Sequence, residues 1–439
     1  MSQEVKVDVF TRNVHRSNYL NVFLRGVGIL LGLALVSVNI SYLGASIYGL
    51  WLTVASISQW ANFGDLGVSN GLRNELSKAV ANEDYNRQLS LIKTAVVMLS
   101  IISLCLFFIL TIVSEALIFS RVLQEELRIP LYITNAFFCL SFILGIARTI
   151  AYSYQKSWFA SLASTSTVAL QVIGVLLLII LCVSPHLIVF AIINGFGTIL
   201  GNIVIIWCLF QCVRNNVKGK ITASYNKEYR HAILGVGLQF FILQICCLVL
   251  YATDSVIINK IFDSVSVAKY GVITQVYNTG DSLFSLLLIS LWSATTYIAE
   301  KGNYKWIRQE IHNLLRMWGF FVIGVVVITL MFNIIVRVWL GDEAFYYEPS
   351  LLLMFAVFAI LNTFGAIYVN VANGLGIIKL QMTCAIIGSI VNIPLSIFLA
   401  KTCGLGLSGI KLATIICCFG SMFLVPIQIH CYLKRKILD

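Results

Sequence analysis

Long apolar segments recur along almost the whole of this 439-residue chain, with only short polar segments between them. An α-helix rises 1.5 Å per residue, so about 20 apolar residues cross the hydrocarbon core of a bilayer. About twelve segments approach that length. They lie near 20–40, 47–68, 92–119, 131–154, 159–183, 187–213, 232–256, 270–298, 314–338, 351–373, 380–400 and 409–432. The pattern predicts an all-α polytopic membrane protein.

The composition supports this prediction. The chain is 59% hydrophobic and 11% charged, whereas a soluble domain carries about 25% charged residues. The net charge of +11 does not indicate nucleic-acid binding, because the basic residues flank the apolar segments. Residues 1–19 are polar and precede the first apolar segment, so we expect no cleaved signal peptide. We therefore expect a multi-pass location in a membrane.

No catalytic or cofactor signature is visible. The sequence contains no P-loop, GxSxG or HExxH motif. Most of the twelve cysteines lie inside apolar segments, where a thiol behaves as a small hydrophobic group. The five histidines have no spacing that suggests metal ligands. We therefore expect a protein that is not an enzyme and that carries neither a cofactor nor a metal.

Two similar stretches, opened by Tyr48-Gly49 and Tyr270-Gly271, lie about half the chain apart. Each follows an apolar segment and leads into a polar, basic stretch. Most of the 30 Lys and Arg residues fall on one side if the N-terminus is cytoplasmic, as the positive-inside rule requires. The chain is therefore predicted to have both termini in the cytoplasm and two parallel six-helix lobes around a central cavity. The expected boundaries are 1–213 and 232–439, joined by a basic linker at 214–231.

Charged side chains within membrane spans are costly and are candidates for function. Arg25 and Arg148 lie near cytoplasmic ends, as snorkelling anchors or as cations that line a cavity. The acidic candidates Asp65, Asp254 and Asp281 fit a coupling-ion site, an ion pair or a helix cap equally well. Arg337 and Lys411 are predicted to be interfacial anchors.

Uncharged polar side chains are numerous in the spans, and most are expected to bond between helices. Four of them lie on the corresponding second and eighth spans, and we predict that these line a cavity. They are Gln59, Asn62, Gln275 and Asn278. The pattern Gly197-x-x-x-Gly201 predicts close helix packing.

The stretch FGDLGVSNGLRNELSKAVANEDYNRQ resembles the second helix and following loop of bacterial polysaccharide-export proteins. A second stretch, YATDSVIINKIFDSVSVAKYGV, is similar to the same group. The resemblance covers nearly the whole chain and is to the O-antigen flippase (Wzx-type) branch of the multidrug/oligosaccharidyl-lipid/polysaccharide exporter superfamily. It implies a MATE-like fold whose V-shaped cavity opens to each side in turn.

The resemblance also implies a substrate, an oligosaccharide repeat unit linked to undecaprenyl diphosphate. A diphosphate requires cations, and Arg25 and Arg148 are the expected ones. The other expected partners are membrane lipids, a glycan polymerase and a chain-length regulator.

Other functions remain open at this stage. A cation-coupled multidrug antiporter of the same fold would have an acidic cavity, whereas the charges in these spans are mixed. Another lipid-linked glycan exporter would fit the pattern as well, although a peptidoglycan-precursor flippase would have more spans than are counted here. A glycan polymerase would need a large extracytoplasmic loop, which the sequence lacks. The buried charges disfavour a purely structural membrane protein.

Overall fold

The structure is a computed structural model that describes residues 3–60, 64–121, 124–214, 225–340 and 346–438. The described ranges contain α-helices and no β-strand, so the predicted all-α class is confirmed. The helices, in chain order, are α1 Gln3–Trp60, α2 Val68–Ala81, α3 Tyr85–Phe119, α4 Arg128–Leu144, α5 Ile146–Ser153, α6 Trp158–Ile180, α7 Leu187–Arg214, α8 Lys227–Ile261, α9 Ser264–Glu300, α10 Tyr304–Leu340, α11 Pro349–Leu375, α12 Lys379–Ile397, α13 Gly406–Cys417 and α14 Val425–Leu438.

Ten helical segments within the described ranges are long and apolar enough to cross a membrane. The count becomes eleven when α13 and α14 are taken as one span, bent by 46°. The predicted second span, 47–68, runs through residues 61–63, which lie outside the described ranges. The helices α9 and α10 each contain 37 residues. At 1.5 Å per residue each is about 55 Å long, so its ends extend well beyond a hydrocarbon core of about 30 Å.

A single glycine separates the first two spans. The gap at 41–46 between the first two predicted spans is a kink inside α1, where Gly44 has φ 74° and ψ 160°. Only glycine adopts this region readily, because it has no Cβ. The two helical segments of α1 therefore follow one another with one non-helical residue between them.

The chain divides into two compact units, Met1–Leu238 and Gln239–Asp439. The division falls within α8, although the second lobe was predicted to begin at residue 232. The first turns of α8 pack tightly against α2: a Cβ added to Gly67 would lie 1.8 Å from the carbonyl oxygen of Gly237. A Cβ on Gly71 would lie 2.1 Å from the carbonyl oxygen of Ile233. This contact places the start of α8 in the N-terminal unit. Residues 215–224 of the predicted linker lie outside the described ranges.

The predicted close packing at Gly197 and Gly201 is confirmed. A Cβ on Gly201 would lie 2.0 Å from Oγ1 of Thr167, and one on Gly197 would lie 2.7 Å from Cγ of Gln171. The absence of these side chains lets α7 approach α6 closely.

Buried aromatic rings hold α9, α10 and α11 together in the C-terminal unit. Tyr277 of α9 stacks on Phe332 of α10, with ring centroids 5.9 Å apart. Phe355 of α11 packs against Tyr270 at 5.0 Å and against Tyr277 at 5.8 Å. Each such pair contributes about 0.5–1.5 kcal/mol beyond its buried area. The cluster fixes the position of α9, on which several candidate residues lie.

Candidate functional site

A polar cavity of about 550 Å³ lies within the C-terminal unit, among otherwise apolar helices. Helices α8, α9, α11 and α13 contribute to its wall. Its charged members are Asp254, Asp281 and Lys411. Amides and hydroxyls make up most of its remaining polar surface: Tyr251, Ser255, Tyr270, Thr274, Gln275, Asn278, Ser282, Ser285, Asn362 and Thr363.

Asp254 is the most enclosed acid of the cavity, with 4% of its surface exposed. Its Oδ2 accepts a hydrogen bond of 2.8 Å from the hydroxyl of Tyr270, the tyrosine that opens the second repeat. Its Oδ1 is buried and has no hydrogen-bond partner among the described residues. Because an unpaired buried carboxylate oxygen is costly, this atom is available to a ligand that can donate a hydrogen bond or carry positive charge.

Asp281 repeats this arrangement three helical turns past Tyr270. Its Oδ2 accepts a hydrogen bond of 3.3 Å from Nδ2 of Asn362 on α11. Its Oδ1 is also buried and has no partner within the described ranges. The cavity therefore contains two carboxylate oxygens that accept no hydrogen bond from any residue the structure describes.

Lys411 was predicted to be an interfacial anchor, and this prediction is wrong. The residue is only 6% exposed, and its ammonium lies 3.6 Å from the ring centroid of Phe358 and 4.6 Å from that of Phe355. It also interacts electrostatically with Asp254 and Asp281. The sequence signal was the apolar context GIKLATIICC, which is typical of a side chain inside the bundle.

Gln275 and Asn278, which were predicted to line a cavity, both lie on the wall of this one. Both side chains are exposed, so they are accessible to a ligand. Gln59 and Asn62 of the N-terminal half were also predicted to line a cavity. Asn62 lies outside the described residues, and so does the side chain of Gln59.

Asp65 caps a helix. Its Oδ1 accepts a hydrogen bond of 2.9 Å from the backbone N–H of Gly67, and its Oδ2 accepts one of 3.3 Å from that of Ser69. These bonds satisfy free N–H groups at the start of α2, where negative charge is favourable. Of the three interpretations offered by the sequence, the cap is the one with contacts in the structure.

Arg25 and Arg148 lie in different surroundings within the N-terminal unit. Arg25 is exposed on α1. Arg148 is half-buried on α5, where its Nη2 lies 3.4 Å from Oδ1 of the buried Asn202 on α7. The structure therefore gives Arg148 a bonding partner between helices and leaves Arg25 accessible.

A third arginine, Arg73 of α2, is also buried. Its guanidinium lies 4.7 Å from the ring centroid of Tyr152. Burial lowers the pKa of Arg73 to about 10. Arg73 is one of the Lys and Arg residues that the positive-inside rule predicts to be cytoplasmic, but its packing against Tyr152 gives it a structural role.

No group of three or more His, Cys, Asp or Glu residues could hold a metal ion in the part of the chain that the structure describes. The chemistry of the cavity is thus that of hydrogen bonds and a small number of charges. Such a surface can bind a hydroxyl-rich or cationic group.

Solved structures of MATE proteins have a similar fold. A crystal structure of a MATE mutant superposes with a TM-score of 0.79, at 15% identity and with 97% of each chain covered. The outward-facing conformation of a multidrug resistance MATE family transporter of the MOP superfamily superposes with a TM-score of 0.77, at 16% identity, over 97% of this chain and 96% of that one. This protein therefore has the MATE fold, as the resemblance in its sequence implied.

The sequence defines the family. The family described as "Polysaccharide biosynthesis protein" matches residues 27–292, which is more than half of the chain. The chain belongs to this family.

Two relatives match most of its length. A protein named as an O-antigen transporter of Salmonella typhimurium (strain LT2) is 21% identical over 88% of each chain. A protein named as an O-antigen export protein of Yersinia pseudotuberculosis is 20% identical over 78% of this chain and 79% of that one. The resemblance to the polysaccharide exporters is thus confirmed.

Proposed function

We propose that this protein moves a lipid-linked oligosaccharide repeat unit across the bacterial inner membrane. The substrate is an O-antigen repeat unit carried on undecaprenyl diphosphate, which passes from the cytoplasmic to the periplasmic leaflet by alternating access. Family membership and the names of the two relatives support the class of substrate. The polar cavity of the C-terminal unit carries the proposal, because a hydrated cavity among apolar helices is what a sugar needs to cross a bilayer.

The cavity is suited to the glycan rather than to the diphosphate. Sugar hydroxyls both donate and accept hydrogen bonds, and the cavity offers acceptors on Asp254 and Asp281 and amides on Gln275 and Asn278. Two carboxylates and one ammonium leave it with a net negative charge when all three are ionised. Like charges about 4 Å apart repel by about 4 kcal/mol at an effective dielectric of 20, so a diphosphate is disfavoured beside these carboxylates.

The diphosphate therefore needs a basic site elsewhere. Arg25 is the better candidate of the two predicted arginines, because its side chain is exposed on a spanning helix. Arg148 stays a second candidate, although its guanidinium already bonds to Asn202. The polyprenyl chain remains in the lipid, where it needs no polar partner.

The double variant Gln275→Ala/Asn278→Ala tests the role of the cavity. Each lost hydrogen bond costs about 0.5–1.5 kcal/mol, so the loss of two should weaken glycan binding by roughly 5- to 140-fold. We expect a matching fall in surface glycan in cells that depend on this protein, at an unchanged protein level in the membrane. Electrophoresis of the surface polysaccharide measures the first and immunoblotting the second.

Thr279→Ala is the matched control. Thr279 is exposed on the same turn of α9 but is not part of the cavity wall, and its Oγ1 donates to the carbonyl oxygen of Gln275 within the helix. It should leave surface glycan unchanged. Normal surface glycan in the double variant would show that this cavity does not bind the substrate.

A cation-coupled multidrug antiporter is the second candidate, and one observation favours it. The unsatisfied oxygens Asp254 Oδ1 and Asp281 Oδ1 would also suit a cationic drug. That function predicts drug resistance on overexpression, which Asp254→Asn should abolish. Loss of surface glycan on deletion, without any change in drug sensitivity, would exclude it.

A further inference from the structure

A second pocket of the C-terminal unit, of about 620 Å³, is strongly basic and lies apart from the polar cavity. Two arginines and two histidines line it: Arg308, His312, Arg316 and His430. The amides of Gln309 and Asn313 and the ring of Tyr368 complete its polar surface. None of the residues that line it is acidic, and none belongs to the wall of the polar cavity.

The basic residues follow the helical repeat. Arg308, His312 and Arg316 are spaced at four-residue intervals on α10, so they lie on one face of that helix. His430 of α14 and Tyr368 of α11 lie across the pocket from them. Arg308 and Arg316 both line the pocket, and their positive charges favour an anion there.

The acid nearest to this row in the sequence makes no ion pair with it among the described residues. Glu310 lies on α10 between Arg308 and His312, but it is buried and accepts a hydrogen bond of 3.3 Å from Nδ2 of Asn313. Arg308 and Arg316 are both exposed. Each presents a planar fork of N–H donors, the geometry that binds the oxygens of a phosphate in pairs.

The sequence around the pocket predicts that it lies at the depth of lipid headgroups. Immediately after Arg316-Met317-Trp318 the helix becomes apolar for almost twenty residues, from Gly319 onward. Aromatic side chains, which concentrate at membrane interfaces, surround this level. Trp318 Nε1 donates to the carbonyl oxygen of Ile360 at 3.1 Å, and the rings of Tyr304 and Tyr432 lie 6.3 Å apart.

We propose that this pocket binds the phosphate headgroup of a membrane lipid, held between Arg308 and Arg316 of α10 and His430 of α14. Two lipids carry this chemistry, the diphosphate of a polyprenyl-linked substrate and the phosphodiester of an anionic phospholipid. With the first, the inference rests on the proposed function, and the pocket receives the diphosphate that the polar cavity disfavours. With the second, the pocket is a lipid site independent of transport.

The test uses the purified full-length protein in detergent and two soluble probes, farnesyl diphosphate and a short-chain phosphatidylglycerol. Native mass spectrometry during titration measures the affinity for each. The variant is Arg308→Gln/Arg316→Gln, whose side chains are exposed, so the core is left intact. We expect affinity for at least one probe to fall tenfold or more, and the loss to shrink as salt increases.

Arg337→Gln is the control. It removes one positive charge, half of what the double variant removes, from the other end of the same helix, about 31 Å from Arg316 at 1.5 Å per residue, and Arg337 is also exposed. Selective loss of farnesyl diphosphate binding identifies the substrate diphosphate as the ligand, and equal loss of both probes identifies lipid headgroups in general. Unchanged affinity for both probes, or an equal loss in Arg337→Gln, would overturn the proposal. These measurements contain no transport step, so their outcome does not depend on whether the chain exports glycan.

Discussion

Arg25 and Arg148 look alike in the sequence, since each is a single arginine near the cytoplasmic end of an apolar segment. The structure separates them. Arg25 is exposed, whereas Arg148 bonds to Asn202, a side chain that is only 1% exposed. Removing Arg148 therefore leaves a buried amide without its partner, and removing Arg25 does not.

We expect Arg25→Ala to reduce surface glycan with no change in thermal stability. Arg148→Ala should reduce surface glycan and also lower the midpoint of thermal unfolding, because an unsatisfied buried polar group costs about 1–3 kcal/mol. Immunoblotting of membranes, polysaccharide electrophoresis and thermal unfolding in detergent measure the three quantities. Asn202→Ala should reproduce the stability loss of Arg148→Ala. Normal surface glycan in both arginine variants would remove them from the transport pathway.

The sequence indicated which polar residues are candidates for function, but it did not predict which side chains they contact. Asp254, Asp281, Gln275 and Asn278 were found from the sequence because polar groups in apolar segments are conspicuous. The position of Lys411 was not, since hydropathy locates a span but not the depth or direction of a side chain within it. Its contacts with the rings of Phe355 and Phe358 depend on tertiary packing between α11 and α13.

At the scale of elements, a tight contact within the N-terminal unit joins α2 to the first turns of α8. Gly67 has φ 74° and ψ 9°, in the left-handed region, and it faces the carbonyl oxygen of Gly237. Gly376, after α11, has nearly the same backbone angles, φ 73° and ψ 17°, with open space around it. Comparing the same substitution at Gly67 and at Gly376 therefore separates the cost of the left-handed backbone conformation from the cost of the contact with α8.

Gly376→Ala should destabilise the protein by about 1–2 kcal/mol, the cost of the left-handed conformation for a residue with a Cβ. Gly67→Ala should destabilise it more, because its Cβ would lie 1.8 Å from a backbone oxygen, so that α8 must shift. Thermal unfolding in detergent compares the two variants. Equal shifts in the unfolding midpoint would mean that α8 moves away from α2 at little cost.

The helices also contain breaks that periodicity and hydropathy do not predict. The spans of α3, α6 and α7 lie close to their predicted ranges, because long apolar runs define them. The break in α1 depends on one residue, Gly44, and the separation of α4 from α5 falls at Gly145, whose dihedral angles remain helical. Such breaks arise from local backbone geometry that an apolar run does not encode.

At the scale of the whole molecule, the proposed direction of transport depends on which ends of the helices face the cytoplasm. The distribution of Lys and Arg predicts that both termini are cytoplasmic. It also places the turns after α6 and after α12 on the periplasmic side. Three exposed cysteines mark these positions: Cys182 follows α6, Cys403 follows α12, and Cys431 lies near the end of α14.

Single-cysteine variants should reveal this orientation through their reaction with a membrane-impermeant maleimide. Cys182 and Cys403 should react in intact spheroplasts, whereas Cys431 should react only after the membrane is opened. Cys105, which is exposed on the apolar face of α3, is the control and should react in neither case, because an impermeant reagent does not enter the hydrocarbon that covers this face. Labelling of Cys431 in intact spheroplasts would show that the topology is the reverse of the predicted one. In that reversed topology the basic pocket of Arg308 and Arg316 would lie on the periplasmic side, because α14, which carries Cys431, contributes to that pocket together with α10. A substrate made in the cytoplasm could not then reach the pocket before transport, so the same experiment decides whether this pocket is able to receive the substrate diphosphate.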